Sequence, residues 1–328
     1  MRYFLGVDVG GTKTHALIAD EAGRVIGSGL GGAGNHETVG YIGLVEALRA
    51  STGQALARAG IDLQQIVGAG FGVAGLDWPS EREQTLGAIA KLDLRAPVEA
   101  VNDAVIGLLA GSAEGWGVAV VSGTGCNCYG LDRSRRRIGR VSGYGQMMGE
   151  AAGGSELVAK AQQAVAHAWT RRGPPTRLTE AFARHTGSPD AGALVEGLTM
   201  GSICLDASLA PLVFEVAAQG DAVALDAIRW AGRELGELAN AVIRQLEFEA
   251  LEFDVVLVGG MYQGGPLLIE PMRATIQALA PRARLVRLTA PPVVGAVLLG
   301  MEQARVDASR VREALLDSVG EAGTATSS

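Results

Sequence analysis

Short apolar runs rich in β-branched residues alternate in the first third of the chain with stretches of helical periodicity. The runs have the length and composition of strands, and glycine-containing turns bound them. Five strands are predicted on this basis: YFLGVDV, HALIAD, RVIGSGL, IVGAGFGVAG and PVEAVN. Helices are expected over residues 37–59 and 80–91. Strands that alternate with helices in this way are typical of an α/β fold.

The pattern of the first strands is repeated from Trp116 onward. The segment GVAVVSGTGCNCYGL predicts a strand, a Gly/Thr turn and a strand, as FLGVDVGGTKTHALI does about 113 positions earlier. A long helical section over 154–248 follows. The chain then returns to alternating strands and helices, which are predicted in this order: FDVVLVGG, the segment after Pro266, ARLVRL and VVGAVLLGMEQA. Two related lobes are therefore expected.

Length and repetition together predict the division of the chain. Its 328 residues exceed the roughly 250 to 300 residues at which single cores stop growing. We expect an N-terminal lobe over 1–112 and a C-terminal lobe over 113–303. A C-terminal helix over 304–320 could pack back on the N-terminal lobe, and the small, polar tail over 321–328 is expected to fray.

Composition and charge narrow the classes of partner. The formal net charge of −7 argues against a ligand held by its phosphate backbone, so no nucleic acid is expected. The one basic run, DRSRRRIGR, lies between two apolar stretches and is interpreted as a solvated hairpin turn. No apolar run reaches the roughly 18 residues of a membrane span, and no signal peptide is evident. We expect a cytoplasmic protein without membrane contact.

The number and spacing of the cysteines limit the disulfide and metal-binding chemistry of the chain. Cys126, Cys128 and Cys204 form no CxxC pair and fit neither a disulfide framework nor a zinc cluster, so reduced, buried thiols are expected.

Glycine supplies 47 of 328 residues, about twice its usual share of roughly 7%. Since these glycines gather at strand ends, they indicate tight turns or a close approach of the backbone to a ligand.

The turn after the first strand places a carboxylate beside small residues. Asp8 precedes Gly10, Gly11 and Thr12, and Lys13 follows. The spacing begins like a Walker A loop, but that motif needs lysine where Thr12 stands and leads into a helix, whereas a strand follows here. The N–H groups of the turn could instead bind phosphate oxygens, with Asp8 facing a cation. An ordinary hairpin turn is the alternative.

Two further turns of the same kind strengthen the phosphate interpretation. The residues SGTG at 122–125 follow the repeated strand, and Gly259 and Gly260 follow the apolar run VVLV. Three glycine turns at strand ends fit a nucleotide that lies between two lobes.

The ordered set of motifs resembles a known family. These motifs are GVDVGGTKT, AVNDA, SGTGCN, GYGQMMGE, VLVGG and PPVVGAVLLG. Their order and approximate spacings are similar to those of the BadF/BadG/BcrA/BcrD ATPase family, especially its N-acetylglucosamine kinase-like members. The resemblance covers about residues 3–303. It implies an actin-like ATPase fold, in which two related ribonuclease H-like lobes enclose a nucleotide cleft, and it implies ATP and Mg²⁺ as cofactors.

The resemblance implies nucleotide and metal roles position by position. Asp8 corresponds to the residue that acts on Mg²⁺ largely through water. The implied nucleotide-binding residues belong to two phosphate turns and to the turn that supports adenosine: Gly10, Gly11, Thr12, Lys13, Ser122, Gly123, Thr124, Gly125, Gly259 and Gly260. The segment PPVVGAVLLG corresponds to the helix near the interlobe hinge.

Asp103 corresponds to the catalytic aspartate of the kinase members. From the end of a strand it could accept the proton of a sugar hydroxyl as that oxygen attacks the γ-phosphoryl group. Its alternative role is an N-cap, because Asp favours helix starts and the following AVIGLLAG is helix-like.

The resemblance also implies a set of residues that contact the sugar. These substrate-binding residues are Asn35, Asp77, Asp103, Thr124, Asn127, Gly143, Tyr144 and Glu150. Asn35 and Asp77 have an alternative role as helix caps. In the last loop the family's kinases usually carry an aromatic residue and GDEGS, whereas here Glu150 replaces Asp and AAGG follows it. This departure leaves the identity of the sugar open.

The leading hypothesis is an ATP-dependent kinase that phosphorylates a hydroxyl of N-acetylglucosamine, glucosamine or a related hexose. A homodimer is compatible with the sequence. The alternative is an ATPase activator of a reductase or dehydratase, whose interface cysteines hold an iron–sulfur cluster. Cys126 and Cys128 share one strand face but sit inside a phosphate motif, which disfavours a cluster. A nucleotide-binding regulator without turnover would require Asp103 to be a cap only.

Overall fold

The computed structural model describes residues 1–325, which form two mixed sheets of five strands each. The strands are short, and helices cover the sheets, so most strand side chains are buried. In chain order the strands are β1 (Tyr3–Val9), β2 (Thr14–Asp20), β3 (Val25–Gly31), β4 (Ile66–Val73), β5 (Val98–Asn102), β6 (Gly117–Ser122), β7 (Cys126–Leu131), β8 (Ile138–Arg140), β9 (Phe253–Val258) and β10 (Ala283–Arg287).

The two sheets share one topology. The first has the order β3-β2-β1-β4-β5 and the second the order β8-β7-β6-β9-β10. In each lobe the first three strands form antiparallel hairpins, and the fourth strand lies parallel to the first. In β1, for example, Val7 pairs with Ala16 of β2 on one side and with Phe71 of β4 on the other. The predicted α/β class with two related lobes is confirmed.

Helices connect and cover the strands. They are α1 (His36–Ala59), α2 (Arg82–Ala90), α3 (Asp103–Gly111), α4 (Gly154–Trp169), α5 (Leu178–Thr186), α6 (Ala191–Met200), α7 (Ala210–Ala218), α8 (Ala222–Leu246), α9 (Pro266–Leu279), α10 (Val293–Gln303) and α11 (Arg312–Ala325). The helix expected over 37–59 is kinked at Gly40, whose φ of 66° is not helical. The helix expected from residue 80 begins as a short 3-10 turn over Pro79–Glu81 and becomes α-helical only at Arg82.

Helices α3 and α10 cross between the sheets, and each packs against the sheet of the other lobe. Their backbones approach closely at Gly295, where a Cβ atom would lie 1.9 Å from the carbonyl oxygen of Ile106. Gly6 and Gly70 leave similar room for α10 on the first sheet, with Cβ positions 2.4 and 2.2 Å from its backbone. Because a larger side chain at these positions would separate the elements, glycine permits the tight crossing that joins the lobes.

The second sheet carries the thicker helical layer. The section predicted as helical over 154–248 consists of five helices, α4 to α8. The longest, α8, buries Leu235, Val242 and Ile243 against the core of this lobe. Gly130 in β7 lies under Val242 and has no side chain to hold α8 away. The core of the C-terminal lobe therefore lies between its sheet and these helices.

The C-terminal helix lies against the first lobe. The backbone N–H of Val25 in β3 donates a hydrogen bond of 2.9 Å to Oγ of Ser318 in α11. Gly23 has a φ of 82°, and a Cβ there would lie 2.8 Å from the carbonyl oxygen of Val311. Of the tail predicted over 321–328, residues 326–328 lie outside the described residues. The lobe boundaries near residues 112 and 303 stay predictions.

Two further expectations concern the exposure of the basic run and the presence of membrane-spanning helices. The basic run forms the turn between β7 and β8, where the side chains of Arg133, Arg136 and Arg137 are exposed. The predicted solvated turn is therefore confirmed. Within residues 1–325, no helix is both long enough and apolar enough to cross a bilayer.

Candidate active site

The β1–β2 turn is a tight hairpin with an open tip. Gly10 N–H donates to the carbonyl oxygen of Lys13 at 3.0 Å, and the carbonyl oxygen of Gly10 accepts from Gly34 N–H at 3.0 Å. Gly11, Thr12 and Lys13 are exposed. Within the described chain, the N–H groups of these three residues donate to no protein acceptor. The turn therefore offers free backbone donors, as an anion site requires.

Backbone hydrogen bonds from the first residues of α4 hold the β6–β7 turn. Gly154 N–H donates to the carbonyl oxygen of Gly123 at 2.8 Å, and Ser155 N–H donates to that of Thr124 at 2.9 Å. Ser122 is buried and its Oγ donates to the carbonyl oxygen of Ala152. The predicted roles in this turn therefore differ: Ser122 braces the loop through its side chain, whereas Thr124 at the tip is exposed.

A third glycine turn follows β9 and touches the second. Gly259 has a φ of 115°, and a Cβ there would lie 2.2 Å from the carbonyl oxygen of Ser122. Gly260 is exposed, and a Cβ there would meet no atom within 4 Å. Gly259 thus allows two turns of the C-terminal lobe to lie side by side, while Gly260 faces open space.

An open cavity of about 520 Å³ adjoins these two turns. Gly123, Thr124 and Gly260 line one part of it. Sequence reasoning missed the residues of its other walls, which come from α7 and its approach and from the turn after β9: Ala207, Ser208, Ala210, Pro211, Phe214, Met261, Gln263 and Gly264. Apolar walls beside glycine turns provide a surface on which a planar base could lie.

Asp8 and Asp103 lie at one edge of the first sheet, because β1, β4 and β5 are parallel and both residues are at carboxyl ends. Burial raises the pKa of Asp8 from 3.8 to about 6, and the charge of Lys13 partly opposes this shift. Burial also raises the pKa of Asp103 to about 7, with further contributions from the negative charges of Asp8 and Asp77. Three carboxylates therefore converge on this edge.

The N-cap of α3 is Asn102 and not Asp103. Oδ1 of Asn102 accepts a hydrogen bond of 2.9 Å from Ala104 N–H, and Asp103 is the first residue of the helix. The alternative role of Asp103 as the cap is therefore wrong. The neighbouring asparagine already caps the helix, which leaves the half-buried Asp103 carboxylate available for another role.

Asp77 connects the two lobes. Its buried Oδ1 accepts hydrogen bonds from Asn102 Nδ2 at 3.0 Å, from Asn127 Nδ2 at 3.1 Å and from the Tyr129 hydroxyl at 3.3 Å. Asn102 ends β5 of the first lobe, whereas Asn127 and Tyr129 belong to β7 of the second. The carboxylate of Asp77 caps no helix, since Glu81 accepts from the N–H groups of Asp77 and Trp78.

Asn35 is the N-cap of α1, and its Oδ1 accepts from Glu37 N–H at 2.9 Å. Its Nδ2 donates to the Glu37 carboxylate at 3.2 Å. A Cβ at Gly75, whose φ is 83°, would lie 2.5 Å from Oδ1 of Asn35. The loop that carries Asp77 therefore packs directly on the Asn35 cap. Asn35 and Asp77, which are both predicted to contact the sugar, thus lie on the same side of the site.

The loop over 143–150 faces Asp77 from the second lobe. A Cβ at Gly143, whose φ is 77°, would lie 2.7 Å from the carboxyl carbon of Asp77. The Glu150 side chain is buried, and its Oε1 accepts from Ser142 N–H. Its Oε2 is buried without a hydrogen-bond partner in the described chain. Tyr144 is 68% exposed, and its N–H donates to Oγ of Ser142 at 3.3 Å, so its sugar contact stays a prediction.

The cysteines are not arranged as metal ligands. Cys126 is half-buried and Cys128 buried, and burial raises the pKa of both thiols, to about 12 for Cys126. Thiols in this state are poor ligands because the thiolate is the binding form. Cys204 is exposed, so the expectation that all three thiols are buried is wrong. Within residues 1–325, no three His, Cys, Asp or Glu side chains are grouped to hold a metal ion.

The sequence profile of the BadF/BadG/BcrA/BcrD ATPase family matches residues 5–300. The chain belongs to this family. The predicted family resemblance is therefore confirmed over nearly the whole chain.

Two kinases and one solved structure are similar to the chain over almost their full length. An N-acetylmuramic acid/N-acetylglucosamine kinase from Clostridium acetobutylicum is 25% identical over 308 residues, covering 92% of this chain and 99% of that protein. An N-acetyl-D-glucosamine kinase from Dictyostelium discoideum is 26% identical over 311 residues, covering 91% and 97%. A crystal structure from Chromobacterium violaceum, assigned as an N-acetylglucosamine kinase, has a TM-score of 0.70 at 26% identity, covering 91% and 99%.

Proposed function

We propose that the protein is an ATP-dependent kinase that transfers the γ-phosphoryl group to a hydroxyl of N-acetylglucosamine, glucosamine or a related hexose. The observation that carries the proposal is the position of Asp103: a carboxylate at the sheet edge, beside Asp8 and Asp77, that is not needed as a helix cap. The names of the relatives agree with this assignment.

The nucleotide would lie between the glycine turns. The free N–H groups of Gly11 and Thr12 would hold the terminal phosphates, and the exposed tip of the β6–β7 turn would contribute from the other lobe. Adenosine would occupy the 520 Å³ cavity, where Phe214 and Met261 offer apolar contacts beside Gly260. Backbone donors suit this task because they are rigid and need no reorganisation when phosphate arrives.

Mg²⁺ fits the acidic sheet edge. The negative charge of Asp8 raises the pKa of Asp103, and a divalent cation beside Asp8 would relieve this repulsion. Magnesium commonly takes one or two carboxylates together with substrate phosphates, so a site without a third protein ligand is suitable. When bound, the cation would neutralise charge on the phosphate oxygens.

Asp103 would act as the general base. Its carboxylate accepts the proton of the sugar hydroxyl as the hydroxyl oxygen forms a bond to the γ-phosphorus, and the bond from that phosphorus to the ADP oxygen breaks. A pKa of about 7 suits this task, because about half of the carboxyl groups are ionised at pH 7 and the carboxylate still binds a proton well.

The sugar would be positioned by the polar wall that Asp77 and Asn35 form with Gly143 and Glu150. Gly143 lies against Asp77, Asn35 packs against Gly75 in the loop that carries Asp77, and Glu150 accepts from Ser142 next to Gly143, so the wall draws on both lobes. The unpartnered Oε2 of Glu150 is an acceptor suited to a sugar hydroxyl. Since the wall is complete only when the lobes meet, sugar binding would also exclude water from the phosphate.

The alternative of a dehydratase or reductase activator receives less support. It would need thiolates at a subunit interface, whereas Cys128 is buried and Cys126 is half-buried within the β6–β7 hairpin. Their raised pKa values further disfavour cluster ligation.

A sugar panel tests the proposal directly. Purified protein with ATP and Mg²⁺ is incubated with N-acetylglucosamine, glucosamine, glucose or no sugar, and ADP and sugar phosphate are quantified by mass spectrometry. We expect one amino sugar to give stoichiometric sugar phosphate at a rate well above sugar-free hydrolysis. Hydrolysis without any sugar phosphate across the panel would contradict the proposal.

A further inference from the structure

A second cavity lies between the lobes, apart from the reacting groups. Its volume is about 540 Å³, and it opens between β5 of the first lobe and β7 and β8 of the second. Neither Asp8, Asp103 nor any glycine of the three turns lines it. Asp77, Asn102 and Tyr129 form the wall between this cavity and the acidic edge of the first sheet. We call it the hinge cavity, because α3 and α10 form its floor.

The floor of the hinge cavity is apolar. It is formed by side chains of both crossing helices and of β7: Val105, Leu109, Leu131 and Leu299. Trp78 stands at its rim with 48% of its surface exposed. The volume and the apolar lining are those of a site for a small organic molecule, for which about 300–1,000 Å³ is usual.

Arg140 is the polar group of the cavity that lacks a partner. Its guanidinium lies 4.3 Å from the centre of the Trp78 ring, and its Nη1 is buried without a hydrogen-bond acceptor in the described chain. The backbone of Arg140 is held on both sides by the Gln245 amide, at 2.9 Å each. The backbone of the strand is therefore held at Arg140, while Nη1 of its side chain lacks an acceptor.

The other cations of the cavity are already paired. Arg82 contacts Glu99 at 2.6 Å, and Arg135 contacts Glu302 at 2.6 Å. Asp77, the remaining carboxylate, directs Oδ1 toward three donors. Arg140 alone of these arginines forms no ion pair within the described residues. A buried donor without an acceptor costs stability, so an anion at Nη1 would be bound favourably.

We propose that the hinge cavity binds a small molecule with one anionic group, a carboxylate or a phosphate, attached to an apolar or aromatic body. The anion accepts from Nη1 of Arg140, and the body lies on the apolar floor beside Trp78. This site shares Asp77 with the proposed sugar wall but includes neither Asp8 nor Asp103, and the proposal does not depend on the kinase assignment. Because Trp78 and Arg140 come from different lobes, the ligand contacts both.

The test uses benzoate as the carboxylate probe, phenyl phosphate as the phosphate probe and benzamide as the neutral isostere of benzoate. The four tryptophans are labelled with 5-fluorotryptophan, and the ¹⁹F signal of Trp78 is assigned with Trp78→Phe. We expect benzoate or phenyl phosphate to shift the Trp78 signal with saturation, and the tighter of the two identifies the anion. Benzamide should bind at least 10-fold more weakly.

Arg140→Gln supplies the decisive variant and Arg136→Gln its matched control. Both remove one positive charge from the β7–β8 hairpin, but Arg136 is exposed and does not line the cavity. Arg140→Gln should weaken the anionic probe at least 10-fold, and Arg136→Gln should leave its affinity unchanged. The proposal is overturned if neither anion shifts Trp78, if benzamide binds equally well, or if both variants weaken the probe alike.

Discussion

Nδ2 of Asn127 donates a hydrogen bond of 3.1 Å to Oδ1 of Asp77, and this bond joins the second lobe to the first. Asn127 stands one residue beyond the start of β7, directly after the second glycine turn. The same oxygen of Asp77 accepts from Asn102, the cap that precedes Asp103. The Asp77 carboxylate thus joins Asn102, the cap beside the proposed base, to β7, the strand that follows the β6–β7 turn.

Asn127→Ala should weaken sugar binding without weakening ATP binding. A hydrogen bond to a charged group contributes about 1.5–3 kcal/mol, so the KM for the sugar is expected to rise roughly 10-fold or more. Steady-state kinetics in both substrates measures the two KM values. Tyr129→Phe is the graded control, because its bond to Asp77 is longer, at 3.3 Å, and its loss should raise the sugar KM less. A change confined to the KM for ATP would refute this role of the bond.

The variants Gly259→Ala and Gly260→Ala distinguish a glycine that the backbone conformation requires from a glycine that is expected to face the nucleotide. Gly259 has a positive φ and lies against Ser122, so alanine there should lower Tm by several degrees, since such strain costs about 1–3 kcal/mol. A Cβ at Gly260 meets no protein atom, so this variant should keep its Tm and bind ATP more weakly. Calorimetry and isothermal titration give both quantities. Equal Tm losses would contradict the distinction.

The raised pKa of Asp103 predicts a pH-dependent stability difference. A carboxyl whose pKa rises on folding, here from 3.8 to about 7, binds more protons in the folded state, so stability falls as pH rises across this interval. The Asp103→Asn variant has no ionisable carboxyl at this position, so its stability does not fall with pH for this reason. Its Tm advantage over the wild type, measured without nucleotide, should grow from pH 4 to pH 7 and then level off. A difference that is independent of pH would indicate that Asp103 is not perturbed.

The glycine turns could be predicted because their chemistry is local. A strand followed by residues without Cβ atoms identifies an exposed backbone loop, and the repetition after about 113 residues reveals the second lobe. The order of strands in each sheet was not predicted, because the parallel pairs of β1 with β4 and of β6 with β9 join segments that are distant in sequence.

Other features of the site depend on contacts between distant segments. Phe214 lies in the helical section and reaches the 520 Å³ cavity only because α7 folds back toward the turn after β9. Asn102 and Asp103 are both good caps by residue type, and the backbone geometry at the end of β5 selects Asn102. No local pattern marks Asp77 as the residue that meets the second lobe, since its partners are 25, 50 and 52 residues away.

The kinetic effect of Asp103→Asn tests the central claim most directly. Asparagine has nearly the same size, and Asn102 still caps α3, so the fold should be retained. The variant loses the carboxylate that accepts the hydroxyl proton, and general-base catalysis typically contributes about 10² to 10⁴ in rate. We predict a fall in kcat of this size, measured as sugar phosphate formed per second, with unchanged ATP affinity and no loss of Tm at pH 7. Turnover close to that of the wild type would contradict the account and would show that Asp103 is not the base.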